Sequence, residues 1–273
     1  MPQQPEAPDW KASKAYRWRR RVNSGYLQPV THLHKIGLAD LQGITEQKQL
    51  IDQNTRQFVQ GFTANNVLLT GAKGTGKSSL VKAVLNKFAN RGLRLIEVEK
   101  HDLRDLPDIV DMVAQVPYRF IIFCDDLSFD AEEPGYKALK VVLDGSVSAT
   151  SDNVLIYATS NRRHLMPEYM QENLETKYLG EEIHPGESIE EKISLSERFG
   201  LWIAFYPFVQ DEYLEIVDYW VGKLAAMPEV TDDIRQEALQ WALLRGSRSG
   251  RVAWQFARDW AGRQRLKSTR RSK

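Results

Sequence analysis

The sequence has one cysteine, Cys124, in 273 residues. That excludes an intramolecular disulfide framework and a cysteine-rich metal site. Histidines number only five, and His164 and His184 have no ligand partners at metal spacing. A long hydrophobic run is also missing. The longest apolar stretch, Phe199 to Val209, is about half of what a bilayer demands. No basic segment followed by an apolar one opens the chain, so a secretory signal is not expected and a cytoplasmic location is. Charge of one sign is not in excess: 37 basic residues meet 36 acidic ones. With 42% hydrophobic and 27% charged residues, the composition is that of an ordinary globular protein with a core of its own.

The charge is unevenly placed. Residues 1–21 carry six basic groups (Lys11, Lys14, Arg17, Arg19, Arg20, Arg21) against Glu6 and Asp9, and 261–273 carry six with no acid. The stretch 22–260 is left with a net of −9. Basic ends on an acidic body suit a polyanion or an acidic neighbouring subunit, and two solvated tails would satisfy the same pattern. Tyr16 and Trp18 interleave with the arginines, which suits nucleic acid, through Lys11, Arg17, Arg19, Arg20 and Arg21, or docking on a partner.

The pattern predicts disorder over residues 1–10 and a basic N-terminal extension over 1–35. Strands are expected at 66–70, 93–98, 120–124, 154–158 and 201–205, with helices between them. This is βαβ patterning, a parallel sheet covered on both faces. From 211 the pattern is helical only. The expected layout is an α/β domain over 36–208, a helical domain over 209–262 and a basic tail over 263–273. The tryptophans Trp241, Trp254 and Trp260 are expected in the helical core.

Gly71-Ala72-Lys73-Gly74-Thr75-Gly76-Lys77-Ser78 fits G-x-x-x-x-G-K-[ST] at every fixed position. It follows a predicted strand and opens a predicted helix, which is the context that confirms a phosphate loop. Its glycines let successive N–H groups turn inward onto phosphate, beside the positive end of the helix dipole. Ser79 follows in the same turn. Lys77 supplies a cation to the phosphate oxygens, and the Ser78 hydroxyl suits Mg²⁺. Phe120-Ile-Ile-Phe-Cys-Asp125-Asp126 is an apolar strand ending in two carboxylates, with Asp125 48 residues beyond Lys77. At a strand end beside a phosphate loop, Asp125 suits Mg²⁺ and Asp126 suits activation of an attacking water. Cys124 reads as a core thiol.

These residues resemble an AAA+ ATPase. The resemblance implies a P-loop NTPase of AAA+ type, a five-stranded parallel sheet between helices followed by a small all-α lid, with ATP and Mg²⁺ as cofactors. It implies that Asn161, in Ala158-Thr-Ser-Asn161, is sensor 1, with Thr159 and Ser160 as alternates. It implies that Arg198, in Ser194-Leu-Ser-Glu-Arg198-Phe-Gly200, is an arginine finger acting on a neighbouring subunit, unless it is held in a salt bridge to Glu197 or Glu191. It implies that Arg251 is sensor 2, with Arg248 as its rival, and that Gly43 and Ile44 lie near the base. Arg162, Arg163 and His164 follow sensor 1 directly, and 168–191 reads as an acidic surface insertion.

The segments Ala64-Asn-Asn-Val-Leu-Leu, Leu95-Ile-Glu-Val-Glu-Lys100, Phe123-Cys-Asp-Asp-Leu-Ser-Phe129, Tyr157-Ala-Thr-Ser-Asn-Arg-Arg-His164 and Glu191-Lys-Ile-Ser-Leu-Ser-Glu-Arg-Phe-Gly200 further resemble one bacterial AAA+ family of unassigned function. That likeness covers roughly 14 to 262. The chain departs from most AAA+ members in having Asp126 where Glu is usual. The shorter side chain sets its carboxylate back by about 1.5 Å, one C–C bond, and misplacement of that order costs about a hundredfold in rate. The implied activity is Mg²⁺-dependent ATP hydrolysis by an oligomer that remodels or loads a macromolecule. The alternative is an ATP-binding switch or adaptor with little turnover, with nucleic acid as a candidate partner. A small-molecule P-loop kinase would leave sensor 1, the finger and the lid without a purpose.

Overall fold

A computed structural model describes residues 7–21, 24–129, 134–144, 152–161, 178–179, 182–183, 195–227 and 229–271. Arg162, Arg163, His164, His184 and the rest of 168–191 apart from those two short pairs lie outside them, as do residues 1–6.

Five parallel strands lie at the five expected places: β3 (Val67–Gly71), β4 (Leu93–Glu97), β5 (Arg119–Cys124), β6 (Val154–Ser160) and β9 (Leu201–Phe205). β3, β5 and β6 are nearly all apolar and buried on both faces, whereas β9, at the sheet edge, alternates buried Ile203 and Phe205 with exposed Trp202 and Ala204. Two more strands, β1 (Ala15–Arg21) and β2 (Ser24–Pro29), extend the edge, β1 parallel to β4 and β2 antiparallel to β1. The seven form one sheet in the order β2-β1-β4-β5-β6-β3-β9. A separate antiparallel pair, β7 (Tyr178–Leu179) and β8 (Glu182–Ile183), completes the strands of the described residues.

The expected five-strand sheet is therefore corrected to seven. The two added strands are hidden in the sequence by their arginines. In β1, Tyr16 and Trp18 turn inward and are buried, whereas Arg17 points out. This is period-2 alternation with arginine as the polar partner. The expectation of disorder over 1–10 is corrected as well for 7–10. Asp9 accepts the Lys11 and Ala12 N–H groups, and Trp10 packs edge-on against Tyr16 and Phe120.

Helices α1 (Thr45–Val59) and α2 (Lys77–Phe88) cover one face, and α3 (Leu106–Val113) and α4 (Pro134–Asp144) the other. The helical part follows as α5 (Gln210–Ala225), α6 (Asp232–Leu244) and α7 (Gly250–Arg271). Its core residues Tyr213, Val217, Ala238 and Phe256 are continuous with Leu41 and Ile44 of the α/β part. Helix α7 runs through the basic residues 263–271 instead of stopping at 262. Arg263 pairs there with Glu237 at 2.6 Å and with Asp259 at 2.8 Å.

Candidate nucleotide site

In a parallel sheet, functional groups gather at the carboxyl ends of the strands. Here β6 lies between β5 and β3. The segment after β6 therefore stands between the phosphate loop that follows β3 and the two carboxylates that follow β5. The loop leaves β3 close to the neighbouring strand. A Cβ on Gly71 would lie 1.9 Å from the Phe205 carbonyl oxygen, so only glycine fits.

Lys77 is buried at the start of α2. Its Nζ donates to the Gly71 and Ala72 carbonyls at 2.8 Å each and to Asn161 Oδ1 at 3.0 Å. Burial lowers its pKa; Asp126 and Asp125 oppose that, and Arg251 adds to it. Ser78 Oγ donates to Asp125 Oδ1 at 2.6 Å. Asn161 Nδ2 donates to Asp126 Oδ1 at 2.5 Å. Thr159 Oγ1 donates to Asp125 Oδ1 at 2.6 Å and accepts the Asp126 N–H at 2.9 Å. Hard oxygen donors on Ser78 and Asp125, one hydroxyl and one carboxylate, fit a Mg²⁺ ion that takes its remaining ligands from phosphate and water. Among the described residues no group of three or more His, Cys, Asp and Glu side chains could hold a metal without such help.

These groups face a cavity of about 410 Å³. Lys73, Gly74, Thr75, Gly76, Lys77, Ser78 and Ser79 form its floor, with Asp125, Asp126, Thr159 and Asn161 on one side. The apolar end is made by Ile36, Leu41, Ile44, Phe208, Ile216 and Trp220. Arg251 and Trp254 of α7 line the cavity too, as do His34, Asp40, Gln42 and Lys82. Gly71 and Ala72 lie below the floor as acceptors for Lys77. Gly43 does not line the cavity, and a Cβ there would meet the Phe208 ring at 3.0 Å. Cys124 is fully buried, and burial pushes its thiol up to about 12.

Arg198 does not line this cavity. Its Nε pairs with Asp144 Oδ1 at 2.5 Å, a carboxylate at the end of α4 that sequence reasoning did not name. The N-terminal arginines meet acids of their own chain: Arg17 pairs with Glu97 at 2.7 Å, Arg19 with Glu99 at 2.5 Å and Arg20 with Asp105 at 3.5 Å. Arg21 lies over the Tyr26 ring. Lys11 folds back in the turn that Asp9 caps.

Sequence reasoning missed Phe208, Trp220 and Trp254 as cavity residues. Trp254 has a place in the core by pattern alone, but it lies three residues after Arg251 on one helix and so shares its face. That spacing was the available signal. Trp260 is buried in the helical core, and Trp241 packs edge-on against Phe256.

Solved structures share this fold. A point variant of Thermotoga maritima RuvB superposes with a TM-score of 0.55 at 14% identity, covering 83% of this chain and 64% of that one. Caenorhabditis elegans PCH-2 gives 0.52 at 17% identity, covering 80% and 64%. Aeropyrum pernix ORC1, solved in complex with DNA, gives 0.53 at 15% identity, covering 78% and 58%. The chain thus spans less than two thirds of the length of each of these three. All three are AAA+ proteins, and the sheet with its helical lid is the AAA+ P-loop fold. No curated protein matches the sequence. No helix among the described residues is long and apolar enough to cross a membrane. A family described as "Protein of unknown function (DUF815)" matches residues 11–264, and the chain belongs to that family.

Proposed function

We propose that this protein is a Mg²⁺-dependent ATPase that works as a homo-oligomer in the cytoplasm to remodel or load a macromolecular partner. The observation that carries this is the hydrogen-bonded set Ser78–Asp125–Thr159 and Lys77–Asn161–Asp126 facing one cavity. It brings a lysine ammonium, two carboxylates and an asparagine amide together from three separate strand ends. In this reading 36–208 is the nucleotide-binding domain and 209–262 the lid.

ATP would lie with its base among Ile44, Phe208 and Trp220, and with its phosphates on the amides of Gly74 to Ser79. Ser78 and Asp125 would hold Mg²⁺, which supplies charge neutralisation to the phosphate oxygens. Lys77 turns from the Gly71 and Ala72 carbonyls to those oxygens. Asp126 and Asn161 orient a water. Its oxygen forms a bond to the γ-phosphorus as the bond from that phosphorus to the β–γ bridging oxygen breaks. The water proton passes to Asp126, and ADP and phosphate leave. Arg251, at the first turn of α7, ties the lid to the nucleotide. Arg198 of a neighbouring subunit would stabilise the transition state, a contribution of about 10³–10⁵ where such a residue acts in trans. It would first have to leave Asp144.

A second reading is a nucleotide switch with little turnover. Asp126 favours it, since its side chain is shorter than the usual glutamate. The Arg17–Glu97, Arg19–Glu99 and Arg20–Asp105 pairs weigh against nucleic acid as the partner of β1, because phosphate would have to displace them.

ATP hydrolysis measured against protein concentration, with and without single-stranded and duplex DNA, tests the proposal beside Lys77→Ala and Arg198→Ala. Specific activity should rise with concentration and vanish in both variants. Tight Mg-ATP binding without turnover at every concentration would leave the switch. DNA stimulation would restore nucleic acid as the partner.

A further inference from the structure

The chain turns at the second acidic motif through an unusual backbone. Asp126 has φ +55°, in the left-handed region that L residues rarely occupy, although Asp and Asn are the least penalised. Outside glycine, Ala226 alone shares this among the described residues. Such a conformation persists where its surroundings hold it.

Thr159 holds it. The Thr159 side chain is buried, with 1% exposure. A threonine hydroxyl has one proton to give and lone pairs to accept with. Here the proton goes to Asp125 Oδ1 at 2.6 Å, and the oxygen accepts the Asp126 N–H at 2.9 Å. Backbone contacts secure the same elbow: the Leu127 N–H donates to the Thr159 carbonyl at 2.7 Å, and Ser160 Oγ donates to the Leu127 carbonyl at 2.7 Å. One oxygen therefore touches the carboxylate that faces Ser78 and the amide of the residue whose carboxylate faces Asn161.

We propose that Thr159 is a positioning residue: its hydroxyl sets the Asp125 carboxylate toward Ser78 and pins the left-handed backbone that carries the Asp126 carboxylate across to Asn161. The inference rests on the ATPase reading above and deepens it. A main-chain turn, instead of an extra methylene, brings the shorter side chain to the place where water is oriented.

The experiment uses the full chain with Thr159→Val, which keeps the shape and removes the hydroxyl, and Thr159→Ser, which keeps the hydroxyl. Two readouts are taken: the Mg²⁺ midpoint for binding a fluorescent ATP analogue, and the steady-state kcat and KM. In Thr159→Val the Mg²⁺ midpoint should rise about tenfold, from losing a charge-assisted hydrogen bond on Asp125. At saturating Mg²⁺ its kcat should fall about a hundredfold with KM within about twofold, the split expected when misplacement of Asp126 is felt in the transition state. Thr159→Ser should rescue both values to within about threefold of the parent.

Parent-like Mg²⁺ midpoint and kcat in Thr159→Val would overturn the proposal, as would equal damage from Val and Ser. If Thr159→Val does not fold, Thr159→Ala is read in the same way. If the parent binds nucleotide but does not turn over, the Mg²⁺ midpoint decides alone. If the parent binds no nucleotide, the ATPase reading itself fails and this inference falls with it. Binding and turnover in the parent that Thr159→Val leaves untouched would overturn only the role of Thr159.

Discussion

The backbone N–H of Arg251 donates to the Gly74 carbonyl at 3.3 Å, which fastens the first turn of the last helix to the crest of the phosphate loop. Gly74 has φ +81°, and a Cβ there would stand 2.9 Å from Ser249 Oγ and 3.0 Å from Ser249 Cβ. The loop and the lid are in contact through a residue that has no side chain.

Gly74→Ala should therefore loosen the lid. The left-handed backbone alone costs about 1–2 kcal/mol for a residue with a Cβ, and the Ser249 contact adds to it. Urea denaturation should show a lower midpoint, and binding of a fluorescent ATP analogue should weaken. An unchanged midpoint with unchanged binding would show that the lid does not rest on this contact.

Asp126→Asn separates the chemistry from the geometry. Asparagine accepts the left-handed backbone about as readily as aspartate does, and it can still meet Asn161. It cannot take a proton from water. Hydrolysis should fall by about 10²–10⁴, the usual contribution of a general base, while ATP-analogue affinity stays near that of the parent. Single-turnover hydrolysis beside equilibrium binding checks both halves. Equal loss in both would place Asp126 in binding instead.

Asp40 joins the segment before α1 to the lid. Its Oδ2 accepts the Gly37 N–H at 2.7 Å, and its Oδ1 accepts from Tyr219 and Lys223 of α5. Burial raises the Asp40 pKa, but the Gly37, Lys223 and Tyr219 hydrogen bonds outweigh it and hold the carboxyl below its ordinary 3.8. A pKa lowered by folding means stability that is present above the unfolded value and is lost as pH falls through the folded one. Asp40→Asn should cost about 1–3 kcal/mol at pH 7, toward the lower end because Lys223 is half-exposed and screened by solvent. Urea titrations of both proteins at several pH values should show that gap narrowing below 3.8. A gap that persists undiminished in acid would mean that shape, not charge, secures the contact.

Trp18 anchors the added edge of the sheet. It is buried, its Nε1 donates to Asp105 Oδ2 at 2.9 Å, and its ring fills the space left by Gly25, where a Cβ would lie 1.8 Å from Cζ2. Trp18→Ala should cost about 3–5 kcal/mol. Amide exchange should speed up across residues 15–29 first, with β3 still protected. Uniform loss of protection would show that the edge strands are inseparable from the rest of the sheet.

Much of this molecule follows from local pattern. Strands β3, β5 and β6 have near-continuous apolar runs because both faces are buried, and such runs are visible one at a time. The phosphate loop is visible for a related reason: its chemistry needs a particular backbone path, and only a fixed glycine spacing supplies it. Asp125, Asp126 and Asn161 are visible because each follows the end of an apolar strand.

What pattern could not decide is what those strand ends do to each other. That β6 lies between β5 and β3 is a matter of sheet order. Only that order brings Thr159 onto Asp125 and Asp126, and Asn161 between Asp126 and Lys77. The arginines of β1 read as a surface for polyanions in the sequence, since the carboxylates that meet them lie about 80 residues away, at Glu97, Glu99 and Asp105. Trp254 reads as core because period 3.6 tells which residues share a helix face, not what that face meets. Contacts between groups distant in sequence exist only once the chain has closed its sheet and laid the lid on the loop.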